Sequence, residues 1–234
     1  MTDRRATLFE KYNLNLTNDD LEKLSLYAEL LLSYNKVMNL TSLTQPDDIW
    51  KTHFLDSSLL LSDGDFRESQ RVLDVGTGAG FPGLVLAILC PDWQVTLLDS
   101  LKKRVDFLER VVSELDLGNV RVIHGRAEDA AKDPSYRENF DLVVSRAVAE
   151  LRLLLELCVP FAAPDGIFVS YKGPKYSDEL DDAKNAMNEL SCECAGVRKY
   201  RIDDKERYLL TFKRIGKLSD RYPRRAGIPA KRPL

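Results

Sequence analysis

From residue 71 onward, short runs rich in β-branched and other apolar residues alternate with longer amphipathic segments. The short runs lie at residues 72–75, 95–98, 120–123, 142–144 and 167–171, and the segments between or after them at 84–89, 101–115, 151–161 and 178–190. Strands that alternate with helices in this way form a parallel sheet covered by helices on both faces. Two later runs, 197–202 and 208–212, lie close together and predict a hairpin. The pattern therefore predicts a doubly wound α/β sheet, mostly parallel, with an antiparallel strand near its end.

The first 69 residues have a helical pattern instead. Thr17 has the character of an N-cap, with Asp20 at the third helical position. Apolar residues then follow at spacings of three and four, at Leu21, Leu24, Ala28 and Leu31. A second helix is predicted over residues 49–61, after Pro46, with Gly64 closing it. We expect an N-terminal helical region at 1–69, a main domain at 70–214 and a basic tail at 215–234.

The first predicted strand runs directly into a glycine-rich loop. Glycines at 76, 78 and 80 let the backbone turn tightly and approach a ligand with no Cβ in the way, and Pro82 suits the first turn of the next helix. The segment 78–83 also satisfies the G-x-G-x-x-G spacing of dinucleotide-binding enzymes. The loop alone therefore predicts a nucleotide-like cofactor without choosing its class.

Of two carboxylates near the loop, Asp74 favours one class of cofactor, whereas Asp99 suits either class. Asp74 stands two residues before the first glycine of the loop, where it would disfavour a pyrophosphate but favour the ammonium and sulfonium groups of S-adenosylmethionine. Asp99 ends the second strand, where a carboxylate can accept hydrogen bonds from both ribose hydroxyls. Ala127 and Glu128, after the third strand, are expected at the adenine edge. The alternatives are capping of strand ends by the two aspartates and a helix-start acid at Glu128.

The charge distribution bears on the partner. Residues 213–234 contain eight basic side chains and one acidic side chain, so this segment carries +7 within a net charge of −3, and the rest of the chain carries −10. A body of that sign repels nucleic acid, so any contact with RNA must be local. Arg224 and Arg225 of the tail are candidate RNA contacts, and a merely solvated terminus is the alternative.

The cysteines at 90, 158, 192 and 194 do not have metal-ligand spacing, and no apolar leader follows Met1. A reducing, cytoplasmic location and no metal ion are therefore expected. Cys90 and Cys158 fall in apolar helical segments and are expected in the core rather than as nucleophiles.

Short motifs spread over essentially the whole chain carry a family resemblance. They are Asn39-Leu-Thr-Ser, His53-Phe-Leu-Asp-Ser, residues 74–83, Asp99-Ser, Lys103-Arg-Val-Asp-Phe-Leu, Ser145-Arg-Ala-Val-Ala, Lys172-Gly and residues 222–234. In these motifs the chain resembles the glucose-inhibited division protein B family, whose members are small-subunit (16S) ribosomal RNA guanine-N7 methyltransferases. Ala226 departs from the proline common in the family's tail. The resemblance implies a Rossmann-like, S-adenosylmethionine-dependent sheet, a cofactor site lined by Gly76, Phe81, Ala127, Glu128 and Arg146, and a guanine of the decoding-centre loop as substrate.

The residues after the fourth strand disfavour methylation of exocyclic amines and are thus compatible with methylation of guanine N7. Methylases of exocyclic amines usually carry Asp/Asn-Pro-Pro-aromatic there, whereas this chain has Ser145-Arg-Ala-Val. Guanine N7 has a lone pair and no proton, so alignment with the methyl group suffices and no catalytic base is assigned. Arg146 and Lys172 are expected at the ligand edge of the sheet, Lys172 either on phosphate or in an ion pair.

The sequence leaves open the role of His53 and Asp56, the choice among alternative functions, and the oligomeric state. His53 and Asp56 share a helix face and either orient RNA or fasten the helical region to the sheet. A catalytically silent RNA-binding protein and, less favoured, an NAD(P)-dependent oxidoreductase are the alternative functions. A monomer is expected as the oligomeric state.

Overall fold

The N-terminal part of the chain is helical, as predicted. The computed structural model describes residues 4–38, 40–41, 45–62, 66 and 70–234. Its first elements are α1 (Arg4–Glu10), α2 (Asn18–Met38), α3 (Pro46–Asp48), a π-helical segment (Ile49–Leu55), α4 (Asp56–Ser58) and a 3-10 turn (Leu59–Leu61). The capping box at α2 is confirmed, because the Asp20 N–H donates to Thr17 Oγ1 at 3.1 Å and the Thr17 N–H to Asp20 Oδ2 at 2.8 Å. Gly64, the predicted end of the second helix, lies outside the described residues.

A seven-stranded sheet follows and confirms the predicted fold class. Its strands are β1 (Arg71–Val75), β2 (Gln94–Asp99), β3 (Val120–His124), β4 (Phe140–Arg146), β5 (Ala162–Lys172), β6 (Cys192–Ile202) and β7 (Lys205–Arg214). They lie in the order β3-β2-β1-β4-β5-β7-β6. The first five strands are parallel, and β7 pairs antiparallel with both β5 and β6. The late hairpin is thus confirmed, with β6 beginning five residues earlier than the apolar run predicted.

Helices lie at each of the four predicted segments, but two of these segments end or break earlier than their patterns predict. The helices of this part of the chain are α5 (Gly83–Leu89), α6 (Lys102–Glu114), α7 (Ala127–Ala130), α8 (Leu151–Cys158), α9 (Tyr176–Asp182), α10 (Lys184–Glu189) and α11 (Ile228–Lys231). The helix predicted over 178–190 is divided at Ala183, where ψ is near 0°. The helix predicted over 151–161 ends at Cys158, and Pro160 lies in the 3-10 turn that follows it.

Both faces of the sheet are covered by apolar layers. Adjacent residues of β1 point to opposite faces, so that Val72 belongs to one core cluster and Leu73 to the other. The N-terminal helices contribute to the first cluster, through Phe9, Leu24, Tyr27, Leu31 and Phe54. The Tyr27 hydroxyl also donates a hydrogen bond to the carbonyl of Ala79 in the glycine-rich loop. One core cluster thus contains side chains of both the N-terminal helices and the sheet. The boundary between an N-terminal region and a main domain stays a prediction.

The C-terminal tail packs on the sheet domain. Leu218 and Tyr222 are 1% and 4% exposed, and Pro229 is buried as well. Arg137 Nη1 donates to the carbonyl of Tyr222 at 2.7 Å. The tail is therefore anchored at these residues, while for its exposed basic side chains a solvated terminus stays the alternative. Within the described ranges, no helix has the length and apolar character needed to cross a membrane.

Candidate active site

The candidate site lies at the carboxyl ends of the central strands, where the strand order reverses between β1 and β4. Ligands of open α/β sheets bind in the crevice at such a point. A smaller cavity of about 200 Å³ lies beside the ends of β1 and β2, and a larger one of about 640 Å³ lies beside β4, β5, β7 and the N-terminal helical turns. Val148, in the loop after β4, lines both cavities.

The loop after β1 has the backbone that its glycines predict. Gly76, Gly78 and Gly80 have φ angles of 71°, 64° and 104°, which residues with a Cβ rarely adopt. A Cβ at Gly76 would also lie 2.6 Å from Val148 Cγ2, so that the Val148 side chain would have to shift to admit a larger residue. Gly76 lines the smaller cavity.

Asp74 lies beneath this loop and braces it. The side chain is fully buried, and Oδ2 accepts hydrogen bonds from the Thr77 hydroxyl at 2.7 Å and from the Gly83 N–H at 2.8 Å. Burial, as the largest cause, raises the pKa of this carboxyl to about 6. These contacts are the capping role that the sequence left open as the alternative. The predicted contact of Asp74 with an ammonium group stays a prediction.

Asp99 ends β2 and lines the smaller cavity, although it is only 2% exposed. Its Oδ2 accepts a hydrogen bond from the Gly78 N–H and its Oδ1 one from the Leu101 N–H, both at 2.9 Å. Arg104 Nη1 lies 3.4 Å from Oδ2. Each carboxylate oxygen can accept more than one hydrogen bond, so Asp99 both positions the loop and keeps capacity for a ribose hydroxyl.

The far side of the smaller cavity is formed by α7 and by the tail. Ala127 and Glu128 line it, and the Glu128 side chain has an exposure of 7%. Glu128 Oε1 accepts a hydrogen bond from the backbone N–H of Gly227 at 3.0 Å, and Ala230 lines the same cavity. The sequence patterns did not predict this contribution of the tail to the pocket.

The larger cavity contains a carboxylate held between two arginines. Asp56 Oδ2 accepts a hydrogen bond from Arg146 Nη1 at 2.7 Å, and Asp56 Oδ1 accepts one from Arg207 Nε at 2.8 Å. The three side chains are 8%, 12% and 24% exposed, so these are partly desolvated ion pairs. Asp56 thus fastens the helical region to β4 and β7, and the sequence did not single out Arg207.

His53 and Phe81 support Arg146 from the other side. The His53 ring stacks on Phe81 with centroids 4.4 Å apart, and the guanidinium of Arg146 lies 5.0 Å from the Phe81 ring centroid. Arg146 Nη2 donates to His53 Nδ1 at 3.3 Å, which leaves the ring proton on Nε2, 2.8 Å from Thr41 Oγ1. Phe81 is 6% exposed, and Arg146 lines the larger cavity rather than the smaller one. The predicted contacts of both residues with a cofactor stay predictions.

The three predicted substrate contacts, Lys172, Arg224 and Arg225, lie in environments that differ from one another. Lys172 Nζ donates to the Ala149 carbonyl at 2.8 Å and to Glu179 at 2.6 Å, so the ion pair that was its alternative is present at the wall of the larger cavity. Arg224 forms an ion pair with Glu156. Arg225 is exposed. Their contacts with RNA stay predictions, and the internal pairs already occupy much of the first two side chains.

Three of the four cysteines are poorly suited to act as nucleophiles. Burial raises the pKa of the thiols of Cys90 and Cys192 to about 12, and it raises that of the fully buried Cys158 as well. A thiol is nucleophilic as its thiolate, which is scarce at neutral pH when the pKa is so high.

Comparison with known proteins decides the family. A family model described as rRNA small subunit methyltransferase G matches residues 20–207. The chain belongs to this family. Two proteins named ribosomal RNA small subunit methyltransferase G are similar over nearly the full length. That of Desulfitobacterium hafniense is 43% identical over 96% of this chain and 94% of its own length. That of Clostridium kluyveri is 42% identical over 97% of this chain and 96% of its own length. The resemblance drawn from the motifs is confirmed.

Solved structures agree with the methyltransferase G assignment at the level of the fold. The YcgJ protein from Bacillus subtilis superposes with a TM-score of 0.53 at 18% identity and covers 70% of this chain and all of its own. M. jannaschii TYW2, solved in complex with AdoMet, gives a TM-score of 0.52 at 17% identity, with 64% of this chain and 71% of its own covered. The family assignment identifies the chain as a ribosomal RNA methyltransferase and favours this function over the silent and the NAD(P)-dependent alternatives.

The neutral state of His53 predicts a pH dependence of stability. Burial first, and Arg146 second, lower the pKa of His53 to about 3 from an ordinary value near 6.5. The folded state therefore binds fewer protons than the unfolded state between these values, and stability falls as the pH drops below about 6.5. In urea denaturation between pH 7 and 5, the stability of the wild type relative to His53→Gln should decrease by up to about 1.4 kcal/mol per pH unit. Parallel stability curves would contradict the assigned neutral histidine.

Proposed function

We propose that this methyltransferase transfers the methyl group of S-adenosylmethionine to N7 of one guanine in the decoding-centre loop of 16S ribosomal RNA. The observation that supports this most is the junction of two unlike cavities at Val148. The smaller has a glycine loop and two carboxylates, which suit a cation-bearing nucleoside. The larger has two paired arginines, which suit a base rich in acceptors.

The smaller cavity fits S-adenosylmethionine. Positive-φ glycines leave the backbone open to a ligand. Among the described residues other than its two chain neighbours, the nearest to a Cβ at Gly78 is Gly76, whose carbonyl oxygen would lie 3.9 Å away. Asp99 would hold the ribose hydroxyls, Ala127 and Glu128 the adenine edge, and Gly76 and Gly78 the methionine moiety. Asp74, Phe81 and Arg146, the other predicted cofactor contacts, would complete the site, with Asp74 also bracing the loop and Arg146 reaching in from the larger cavity. When bound, the cofactor supplies an electrophilic methyl group on a positively charged sulfur.

The larger cavity would receive the guanine. The major-groove edge of guanine presents N7 and O6 as acceptors, and arginine is the usual donor to that edge. Arg146 and Arg207 both line the cavity and are held by the same carboxylate, Asp56. Because N7 carries no proton, the protein has none to remove. His53, neutral and partnered at both ring nitrogens, serves to orient Arg146 in this proposal.

Contacts with the rest of the RNA are proposed for Lys172, Arg224 and Arg225. Arg225 is exposed and has the freest access to phosphate, while the other two would share their charge with internal carboxylates. The acidic body makes such local contacts the expected mode of binding. We also propose that the protein acts as a monomer in the cytoplasm.

The position of methylation can be tested in cells. Borohydride reduction followed by aniline cleaves RNA at 7-methylguanine, so small-subunit RNA from wild-type cells should give one cut that is missing from cells lacking this protein. Purified enzyme with S-adenosylmethionine should restore the cut. Methyl incorporation without an aniline-sensitive site would contradict N7, and no incorporation into any ribosomal substrate would favour a silent RNA-binding protein.

A further inference from the structure

A buried carboxylate outside both cavities anchors the C-terminal tail. Glu156 of α8 has zero exposure, and Arg224 meets it with a full set of hydrogen bonds. The Arg224 backbone N–H donates to Glu156 Oε1 at 2.8 Å, Nε donates to Oε1 at 2.9 Å, and Nη2 donates to Oε2 at 2.6 Å. A buried glutamate is costly unless it is paired this completely, so the pair fixes where the tail crosses α8.

The same guanidinium closes the tail on itself. Arg224 Nη2 also donates to the backbone carbonyl of Arg232 at 2.8 Å. Between these two residues the chain turns at Gly227, whose φ is 82°, and forms the short helix α11. Arg224 therefore holds both ends of the segment 224–232, which we name the tail loop.

The tail loop forms a wall of the smaller cavity. The Gly227 N–H donates to Glu128 Oε1 at 3.0 Å, and Ala230 lines the cavity beside the Glu128 side chain. Helix α8 itself contributes Leu153 and Leu157 to the same cavity. The residues around the expected adenine edge thus come from α7, α8 and the tail loop together, and Glu156 with Arg224 joins the last two.

We propose that Glu156 and Arg224 are positioning residues for the cofactor, which set its affinity by holding the tail loop against Glu128. The inference rests on the proposed function, since it concerns the cavity assigned to S-adenosylmethionine. It gives the basic tail a second task besides RNA contact. A tail that served RNA alone could be removed without effect on the cofactor.

The test is the dissociation constant of S-adenosylhomocysteine, measured by calorimetry on variants that remain folded. Glu156→Gln keeps an acceptor for the Arg224 N–H but removes the charge, and deletion of residues 226–234 keeps the ion pair but removes Gly227 and Ala230. Each should weaken binding by about tenfold, the scale of one lost charge-assisted hydrogen bond. Combining the two should add little further, because both act through the same segment.

Arg221→Ala is the matched control, because Arg221 is an exposed tail residue paired with Glu189, and neither residue lines the smaller cavity. Its affinity should stay within about twofold of the wild type. Wild-type affinity in folded Glu156→Gln and in the deletion would overturn the inference, as would fully additive losses. Failure of the wild type itself to bind S-adenosylhomocysteine would instead overturn the proposed cofactor site.

Discussion

Asp56→Ala is expected to lower the rate of RNA methylation by about 100-fold or more, the scale on which small displacements of positioning groups act. Asp56 is the shared partner of Arg146 and Arg207, and its removal leaves two partly buried guanidinium groups without their carboxylate. Breaking such a pair from one side costs about 3–5 kcal/mol in fully buried cases, and less here because Arg207 is 24% exposed. Because the larger cavity is the proposed guanine site, the rate should fall more than the affinity for S-adenosylhomocysteine.

Single-turnover methylation would measure the rate, and urea denaturation would measure the loss of stability. Calorimetry would give the affinity for S-adenosylhomocysteine. Asp181→Ala is a matched control, since it also removes an aspartate paired with a basic side chain, here Lys184, and both side chains are exposed. An exposed pair of this kind is worth about 0–1 kcal/mol, so its rate and stability should hardly change. A folded Asp56→Ala enzyme with a rate close to that of the wild type would remove the arginine pair from the guanine site.

Gly83→Ala should destabilise the protein by about 3 kcal/mol and weaken cofactor binding, because the added methyl overpacks the core and disturbs a buried hydrogen bond. A Cβ at Gly83 would lie 2.4 Å from Leu97 Cδ2 and 2.8 Å from both Cβ and Oδ2 of Asp74. The Gly83 N–H donates to that same Oδ2, which also accepts from Thr77. Displacing Asp74 would therefore loosen the glycine loop at two points.

Urea denaturation and calorimetry with S-adenosylhomocysteine would measure these losses. Gly118→Ala is the control, because its added Cβ meets no atom of the described part of the chain within 4 Å. We expect a change within about 0.5 kcal/mol there, as for most surface substitutions. If Gly83→Ala were as stable as the wild type, the close packing of Asp74 beneath the loop would be contradicted.

Periodicity was sufficient to predict the sheet. The runs of apolar residues in β1, β2, β4 and β5 are set by local sequence, and the glycines after β1 report a backbone conformation directly. The capping box at Thr17 was equally predictable from the sequence, since its two partners are three residues apart. Element ends were less predictable, because the break at Ala183 depends on how α9 and α10 pack on α8.

The contacts of the site could not be predicted from local patterns. Arg207 reaches Asp56 across 151 residues of chain, and Gly227 reaches Glu128 across 99. Nothing in the spacing near Arg207 distinguishes it from an ordinary charged residue at a strand end. Likewise, the number of basic residues in the tail predicted contacts with RNA. The ion pair of Arg224 could not be predicted, because its partner, Glu156, lies in a distant apolar helix.

Helix α2 covers an apolar face of the sheet domain, and this cover limits which segments can be exchanged between family members by recombination. Leu24 and Leu31 of the N-terminal part lie in the same core cluster as Leu84 and Phe107, and α2 contacts both α5 and α6. A sheet excised without this cover would present a broad apolar face to water, and aggregation would compete with refolding. Recombination within the family should therefore succeed when the N-terminal helices and the sheet are inherited from one parent.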